Sequence, residues 1–312
     1  MPLVSRSIPR EGYLPGADSL RLFYRVIGSG SDTVVAVHGG PGAGMNAFFV
    51  HLAPLGDQHT VIFYDQRGGG RSELPADTTL LDARYFVEDL EAVRRFFGLE
   101  QMKIIAHSFG PVLVARYAQR YPERVERMIF LGASAPERAA GAALFRQQHY
   151  VEPDSALQAR MLEPVRALVS GSAKDPIAAC RAYEAAATEI ARARGEASRW
   201  RGTTCAPPAE AVAYYYHFTA RITPDSFGNW DFTDSLGNVK APLLVIAGDL
   251  SSEANRLQRA WAAAVPHGRV LLVPNAGKAA ISERPEVVYP AIESFLSGQW
   301  PVAAERPEEQ SQ

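Results

Sequence analysis

Short apolar runs alternate along this chain with segments of helical periodicity, and this alternation restricts the fold more than any other feature. Apolar runs of four to eight residues without polar alternation are typical of strands buried on both faces. Such strands form parallel sheets, because the helices between them carry the chain back across the sheet. The predicted strands are Ser19 to Ile27, Thr33 to Val37, His59 to Tyr64, Met102 to Ala106, Met128 to Leu131, Leu243 to Ala247 and Val270 to Val273.

Helical periodicity is clear in two of the intervening segments. A closing helix is predicted from about Pro285 to Leu296. A crossover helix carries apolar residues on one side and charged residues on the other. Its apolar positions are Tyr85, Val87, Leu90, Val93, Phe96 and Phe97. The sequence therefore predicts an α/β fold, with a mostly parallel sheet flanked by helices on both faces.

The strand pattern is interrupted over residues 135–237, which is too long for a loop and is rich in helix formers. We interpret this segment as an inserted helical cap on a core formed by residues 1–134 and 238–300. An Ala-rich stretch from Ile177 to Arg194 fits an amphipathic cap helix. Residues 301–312 are polar and acidic, so we expect a flexible tail there.

Composition limits the classes of partner. The chain has 312 residues, 47% of them hydrophobic, and a net charge of -2, so it offers no positive field for nucleic acid. No stretch approaches the roughly 20 apolar residues of a membrane span, and the first residues lack a signal-peptide core. We therefore expect a cytoplasmic protein whose partner is a small molecule, and the sequence leaves its oligomeric state open. Cys180 and Cys205 lack metal-ligand spacing, so we expect free thiols and no metal site.

Three motifs lie where predicted strands end. The glycine loop His38-Gly39-Gly40-Pro41-Gly42 is followed along the chain by Asp65-Gln66-Arg67-Gly68-Gly69-Gly70-Arg71-Ser72 and by the turn Ala106-His107-Ser108-Phe109-Gly110. Small neighbours at a sharp strand-to-helix turn let the serine adopt a strained conformation that exposes its hydroxyl. The triple glycine lacks the Gly-Lys-Ser/Thr ending of a phosphate loop. We expect Asp65 and Arg67 to brace the first loop through an internal ion pair.

Taken in this order, the motifs resemble those of α/β-hydrolases, and within that fold those of the proline iminopeptidase group of serine aminopeptidases. The match covers about residues 20–135 and resumes weakly at Pro242 to Gly248 and at Asn275 to Pro285. The resemblance implies a serine nucleophile at Ser108. It also implies an oxyanion hole, a pair of backbone amides that stabilise a negatively charged oxygen, formed by Phe109 with Gly39 or Gly40.

Two positions depart from the catalytic triad of this family. The histidine position falls in Asn275-Ala276-Gly277-Lys278 and carries Lys278, and the aspartate position falls in Gly248-Asp249-Leu250-Ser251 and carries Ser251 next to Asp249. The triad histidine takes the serine proton during attack and later returns it. A lysine with the usual pKa of about 10.4 keeps its own proton at neutral pH. We therefore expect efficient peptide or ester hydrolysis to be lost, unless burial lowers the pKa of Lys278 by several units. Lys278 is otherwise either a solvated or ion-paired loop residue or a protonated group beside the oxyanion donors.

The cap also departs from the family, whose cap carboxylates hold the free amino end of the substrate. Glu184 matches one such position, whereas the other is replaced by the run Tyr214-Tyr215-Tyr216-His217-Phe218. We expect a substrate site lined by Glu184, Tyr214, Tyr215, Tyr216 and His217, suited to a bulky aromatic or polyketide-like compound. The alternatives are that the rings pack the cap onto the core and that Glu184 lies on a helix surface.

Three hypotheses of function follow. The first is an enzyme of specialised biosynthesis that needs no cofactor and performs a non-hydrolytic addition, cyclisation or elimination, with an enolate or phenolate held in the oxyanion hole. The second is a slow hydrolase or acyltransferase with a Ser108–Lys278 dyad. The third is a non-catalytic binding protein. The sequence names neither the substrate nor the direction of proton transfer.

Overall fold

The computed structural model describes residues 10–149, 156–193, 202–206 and 208–307. Within them lies one eight-stranded sheet, in the order β1-β2-β4-β3-β5-β6-β7-β8. The first two strands pair antiparallel, β2 also pairs antiparallel with β4, and all other pairs are parallel. The strands are β1 (Glu11–Pro15), β2 (Arg21–Ile27), β3 (Thr33–Val37), β4 (Thr60–Tyr64), β5 (Met102–His107), β6 (Val125–Leu131), β7 (Leu243–Gly248) and β8 (Gly268–Val273).

Helices connect these strands and form the insertion between β6 and β7. The core helices are α1 (Asn46–Leu52), α2 (Ala83–Phe96) and α3 (Gly110–Arg120), and the insertion contains α4 (Arg138–His149), α5 (Ala156–Val169), α6 (Pro176–Ala193), α7 (Ala209–Tyr214), a π-helical turn (Tyr215–Thr219) and α8 (Ala220–Ser226). The chain continues through α9 (Ser252–Ala263), α10 (Ala280–Glu283) and α11 (Pro285–Leu296). The described part of the insertion is mainly helical.

Strand residues alternate between two apolar layers, one on each face of the sheet. Val35 and Ile104 belong to the layer that includes residues of α2, α3 and α9, whereas Val34 and Ile105 belong to the layer that includes residues of α1, α10 and α11. Because both faces are covered, the central parallel strands are mainly apolar. The parallel strands end at a common edge, where the three motifs of the sequence are placed. The predicted fold class is confirmed.

A disulfide within the insertion corrects the expectation of free thiols. Cys180 and Cys205 are fully buried and joined by an S–S bond, with their Cα atoms 5.5 Å apart. Two cysteines without metal-ligand spacing can still form a bridge, because a single disulfide needs only two residues at a suitable separation in the fold. It ties α6 to the segment that precedes α7.

The tail is the second correction. Residues 301–307 are not a free end, because Glu305 exchanges two backbone hydrogen bonds of 2.9 Å with Val270 of β8 and its carboxylate pairs with Arg259 at 3.1 Å. Ala304 is buried. Strand β8 lies at the edge of the sheet, and an edge strand offers unpaired backbone groups to any segment that reaches them. Residues 308–312 lie outside the described part of the chain.

Strand β1 was not predicted, although it extends the sheet beyond β2. Its pattern of five residues contains one buried side chain, Leu14, which is too little to distinguish an edge strand from a loop. No helix in the described residues has both the length and the hydropathy to cross a membrane.

Candidate active site

Ser108 occupies a strained turn between β5 and α3. Its φ angle is 58°, in the left-handed region that costs a residue with a side chain on the order of 1–2 kcal/mol. Flanking hydrogen bonds hold this conformation: Ser108 N–H donates to the Leu131 carbonyl at 3.2 Å, and Ser134 N–H donates to the Ser108 carbonyl at 2.7 Å. A Cβ atom on Gly110 would lie 2.6 Å from the Val37 carbonyl oxygen, so only glycine fits there. The turn thus has the geometry of a nucleophile elbow.

The glycine loop lies directly against this elbow. A Cβ atom on Gly39 would lie 2.5 Å from Ser108 Cβ and 3.2 Å from the Phe109 nitrogen. The amides of Gly39, Gly40 and Phe109 donate no backbone hydrogen bond to another described residue. The Phe109 amide stands at the positive end of α3. The two sides of this contact therefore offer backbone donors for an oxygen that acquires negative charge.

His38 supports the loop and is held neutral. Its Nδ1 donates to the Gly39 carbonyl at 2.9 Å, while its Nε2 accepts the Gln66 N–H at 3.2 Å, which fixes the tautomer. Burial lowers the pKa of His38 to about 4, although the bond to Gly39 opposes the shift. His38 is therefore a structural part of the oxyanion loop and does not act as the missing base.

The pKa of His38 makes folding pH-dependent. Between pH 6.5 and 4 the unfolded chain takes up a proton at this imidazole while the folded chain does not, so stability falls as the pH falls through that window. The full difference corresponds to about 3 kcal/mol. We expect His38→Asn, which cannot titrate, to show a shallower loss of unfolding free energy than the unmodified protein, measured by urea denaturation across this range. His267→Asn, at an exposed position, is the control, and parallel pH curves for H38N and the unmodified protein would contradict the assignment.

The brace of the glycine loops differs from the prediction. Asp65 does not pair with Arg67: it accepts the Met45 and Arg71 N–H groups at 2.6 and 2.8 Å. Arg67 is fully buried and pairs instead with Asp89 at 2.7 Å and Asp18 at 3.1 Å. The prediction of an ion pair between Asp65 and Arg67 was wrong, because two residues close along the chain need not be in contact in the fold. A buried guanidinium is satisfied by carboxylates from helix α2 and from the loop after β1.

Lys278, in the histidine position, follows β8 and reaches the level of the elbow. A Cβ atom on Gly132 would lie 3.3 Å from Lys278 Cγ, and Gly132 follows Leu131, whose carbonyl binds Ser108 N–H. The side chain is exposed, yet burial lowers its pKa. Both observations hold for a side chain that lines a recess deep in the molecule. Its charge also contributes to lowering the pKa of His107, after burial itself.

The ammonium group of Lys278 forms no ion pair or hydrogen bond with any described residue, and Ser108 Oγ likewise forms none. The partners considered from the sequence are engaged elsewhere. Asp249 accepts the Asn275 N–H at 2.8 Å, and Glu253 pairs with Arg256 at 2.7 Å. Lys278 therefore does not form an ion pair with either of these two carboxylates.

The aspartate position serves a different purpose. Ser251 is the N-cap of α9, and its hydroxyl accepts the Ala254 N–H at 3.3 Å. This bond satisfies one of the free amides at the start of a helix. Glu283 fixes the neighbouring loop by accepting the Gly277 N–H at 2.6 Å. The loop that carries Lys278 is thus anchored without a carboxylate that would orient an imidazole.

Histidines close to the elbow do not replace the triad histidine. The His107 ring stacks on Phe48 with centroids 5.3 Å apart, and burial, Lys278 and the neighbouring histidines all disfavour its charged form. His51 Nδ1 lies 3.0 Å from Ser282 Oγ. No histidine forms a hydrogen bond with Ser108 Oγ among the residues that the structure describes.

The aromatic run of the cap spreads over several environments. Tyr214 donates its hydroxyl to the Pro75 carbonyl at 2.6 Å, and His217 Nδ1 lies 2.6 Å from the Val169 carbonyl. The Tyr216 hydroxyl lies 3.6 Å from Cys180 Sγ, inside the cap. The Tyr215 hydroxyl lies beside the glycine loop, 3.1 Å from the position that a Cβ atom on Gly40 would occupy. Packing and site roles are thus divided among the rings.

Glu184 belongs to the interior bonding of the cap. Its carboxylate accepts the Thr203 hydroxyl at 2.8 Å and the Thr204 amide and hydroxyl at 2.9 Å each. These bonds hold the segment that the disulfide also fixes. Glu184 therefore does not offer a free carboxylate to a substrate amine. The predicted contact between Glu184 and the substrate lacks support.

Some residues that shape the site were missed by the sequence reading. Thr219 seats the cap by donating its hydroxyl to the Gly68 carbonyl at 3.0 Å, and Glu283 anchors the Lys278 loop. Phe109 packs edge-on against Phe227 and Trp230, with centroids 5.3 and 5.7 Å apart. None carries a local motif, because each acts through a contact far away in the sequence.

Comparison with known proteins agrees with this geometry. The sequence pattern of the alpha/beta hydrolase fold matches residues 32–285. The chain is 28% identical over 263 residues to a proline iminopeptidase of Lactobacillus helveticus, covering 80% of this chain and 82% of that protein. It is 36% identical over 121 residues to a proline iminopeptidase of Heyndrickxia coagulans, and this alignment spans 38% of the chain and 42% of the relative.

Solved structures show the same fold. The crystal structure of a proline iminopeptidase from Mycobacterium smegmatis superposes with a TM-score of 0.66 at 23% identity, over 92% of this chain and 97% of that one. The crystal structure of VinJ also gives a TM-score of 0.66, at 19% identity, over 92% of this chain and 98% of that one. By its sequence pattern, its sheet and its strained serine turn, the chain belongs to the α/β hydrolase fold family.

Proposed function

We propose that this protein is an enzyme that stabilises the enolate or phenolate form of a small carbonyl compound and uses it in a non-hydrolytic addition, cyclisation or elimination. The observation that carries the proposal is that the backbone amides of Gly39 and Phe109 and the ammonium of Lys278 have no partner among the described residues, while Lys278 packs against Gly132 beside the strand end that binds Ser108. Donors and a positive charge at a desolvated site favour the anionic form of a bound oxygen.

Hydrolysis lacks its proton relay. In a triad the base must contact the serine hydroxyl, and loss of the base typically lowers turnover on the order of a million-fold. Within the part of the chain that the structure describes, no histidine is hydrogen-bonded to Ser108 Oγ, both nitrogens of the His38 imidazole have partners, and Ser251 at the aspartate position caps a helix. Ser108 would then hold the substrate through a hydrogen bond without attacking it.

The substrate class follows from the walls of the recess. Tyr215 approaches the glycine loop from the cap. Tyr183 lies near enough to contribute, after burial, to raising the pKa of Tyr215. Glu184, the cap carboxylate that would hold an amino group in an iminopeptidase, is bonded to Thr203 and Thr204. We infer an aromatic or polyketide-like metabolite in preference to a peptide with a free amino end. The expected cytoplasmic location belongs to this proposal as well.

A second candidate is a slow hydrolase or acyltransferase with Lys278 as the base for Ser108. The lowered pKa of Lys278 favours it, because a neutral amine is the form that accepts a proton. The two candidates have opposite pH dependence. Anion stabilisation is lost as the pH rises through the pKa of Lys278, whereas attack by Ser108 increases over the same interval.

Ionisation of a bound phenol tests the proposal. The probe is 4-nitrophenol, whose anion absorbs at longer wavelength than the neutral form, titrated with and without protein. We expect the bound probe to ionise at lower pH than the free probe. Lys278→Met should weaken anion binding by about tenfold or more, the effect of losing a charged donor.

Lys240→Met is the matched control, because Lys240 is exposed before β7 and distant in sequence from the elbow. It should leave the ionisation of the bound probe unchanged. The proposal fails if the probe ionises at the same pH bound and free. A fluorophosphonate adduct on Ser108 that forms rapidly, and faster as pH rises, would establish the dyad instead.

A further inference from the structure

Tyr215 is the only member of the aromatic run placed at the oxyanion loop. Its hydroxyl lies 3.1 Å from the position that a Cβ atom on Gly40 would occupy. The residue is partly buried, and its hydroxyl forms no hydrogen bond with any described residue. It therefore presents a free donor beside the backbone that carries the Gly40 amide.

Hydrogen bonds of residues before and after Tyr215 in the sequence hold this ring in position. Tyr214 is bonded to the Pro75 carbonyl, and the Thr219 hydroxyl donates to the Gly68 carbonyl. A Cβ atom on Gly42 would overlap the Thr219 methyl group, so the absence of a side chain on the loop lets the cap approach. The turn Tyr215–Thr219 is π-helical, a geometry that is frequent at functional sites. The hydroxyl is thus held in place before any ligand arrives.

We propose that the Tyr215 hydroxyl is a catalytic donor of the oxyanion site, which adds a hydrogen bond from the cap to those of the core amides. This rests on the proposed function, since it concerns the same bound oxygen. The amides of Gly39 or Gly40 and of Phe109 approach that oxygen from the core, and the phenol approaches from the opposite layer. An anionic oxygen is a strong hydrogen-bond acceptor, so a further donor from the cap strengthens its binding.

The chemistry of the phenol suits this task. Burial raises the pKa of Tyr215 to about 12, with a smaller effect from Tyr183, so the hydroxyl keeps its proton throughout the neutral range. Tyr216, its neighbour, turns its hydroxyl toward Cys180 inside the cap. The two adjacent tyrosines therefore separate the roles of site donor and cap packing, and this provides a control one residue away.

The test removes one oxygen atom. Tyr215→Phe keeps the ring, and Tyr216→Phe is the matched control. Affinity is measured for the anion of 4-nitrophenol and for nitrobenzene, which has a similar shape and no ionisable oxygen. We expect Y215F to weaken anion binding by about tenfold, as for a hydrogen bond to a charged group, and to change nitrobenzene binding by less than about twofold, as expected when no hydrogen bond is lost. Y216F should leave both affinities unchanged.

The outcomes separate the two proposals. If Y215F binds the anion as tightly as the unmodified protein while Lys278→Met does not, the role of Tyr215 is excluded and the proposed function stands. Equal losses of anion and nitrobenzene affinity in Y215F would assign the residue to packing and overturn the inference. If the unmodified protein binds no anion at all, the proposed function itself fails.

Discussion

Replacing Lys278 by histidine and Ser251 by aspartate together is expected to accelerate fluorophosphonate labelling of Ser108 by at least about a thousandfold. A triad whose base is lost retains only the contribution of the oxyanion hole and of binding, so restoring the base recovers most of the difference. The elbow that the reaction needs is already present, because Ser108 has its strained backbone and Gly39 abuts it.

The second substitution is tolerated by the local structure. Ser251 is an N-cap whose hydroxyl accepts the Ala254 N–H, and aspartate is an equally good N-cap. Its second carboxylate oxygen is then available to a histidine at position 278. Lys278→His alone is expected to give a smaller gain, because the imidazole lacks the carboxylate that fixes its tautomer.

Labelling is followed by intact-protein mass spectrometry over time. The same double variant carrying Ser108→Ala is the control and should acquire no adduct. If the double variant folds with an unchanged Tm and still labels no faster than the unmodified protein, the elbow and its oxyanion hole are not functional as described. The interpretation of a catalytic frame that lacks only its proton relay would then be wrong.

The largest effect on stability is expected at Asp89. Asp89→Asn should lower the unfolding free energy by about 3–5 kcal/mol, the cost of leaving one partner of a buried ion pair uncompensated. Arg67 is fully buried, and its Nε and one terminal nitrogen donate to the Asp89 carboxylate at 2.7 and 2.8 Å. Asp89 also accepts the Ala17 N–H at 2.8 Å. Asp18, at 3.1 Å, compensates only part of the charge.

Urea denaturation at neutral pH measures this loss. Glu253→Gln is the control, because its ion pair with Arg256 is solvent-exposed and is expected to contribute little to the unfolding free energy. The double variant Arg67→Met and Asp89→Leu should cost less than Asp89→Asn alone, since no buried charge is left without a partner. Equal effects of D89N and E253Q would exclude the pair as a support of the glycine loops.

Local sequence carried the elbow and its surroundings. A serine held in the left-handed region needs small neighbours. Ala106 and Gly110 meet this requirement, so the turn can be predicted from the sequence before the fold is known. The positions of Lys278 and Ser251 were equally accessible, because each follows a buried apolar strand at a defined distance. Sites set by the backbone of adjacent residues are readable in this way.

Contacts between distant segments were not readable. Arg67 was assigned to Asp65, whereas its partners lie on α2 and after β1. Cys180 and Cys205 were expected to be free thiols, whereas they form a disulfide. The aromatic run was one undivided group in the sequence, and a π-helical turn directs Tyr215 alone to Gly40. The carboxylate of Glu184 is hydrogen-bonded to Thr203 and Thr204, which lie 19 and 20 residues further along the chain, and is therefore not available to a substrate.

The sequence by itself determined the class of fold and the strained serine turn, because periodicity and turn chemistry act between residues close along the chain. Only the tertiary structure decided which charges pair, which tyrosine faces the oxyanion loop and where residues 301–307 lie, because those outcomes depend on the packing of layers that are remote in sequence. Lys278 combines both levels: its position after β8 follows from the sequence, and its lack of an ion pair with any described residue follows from the partners that Asp249 and Glu253 already have.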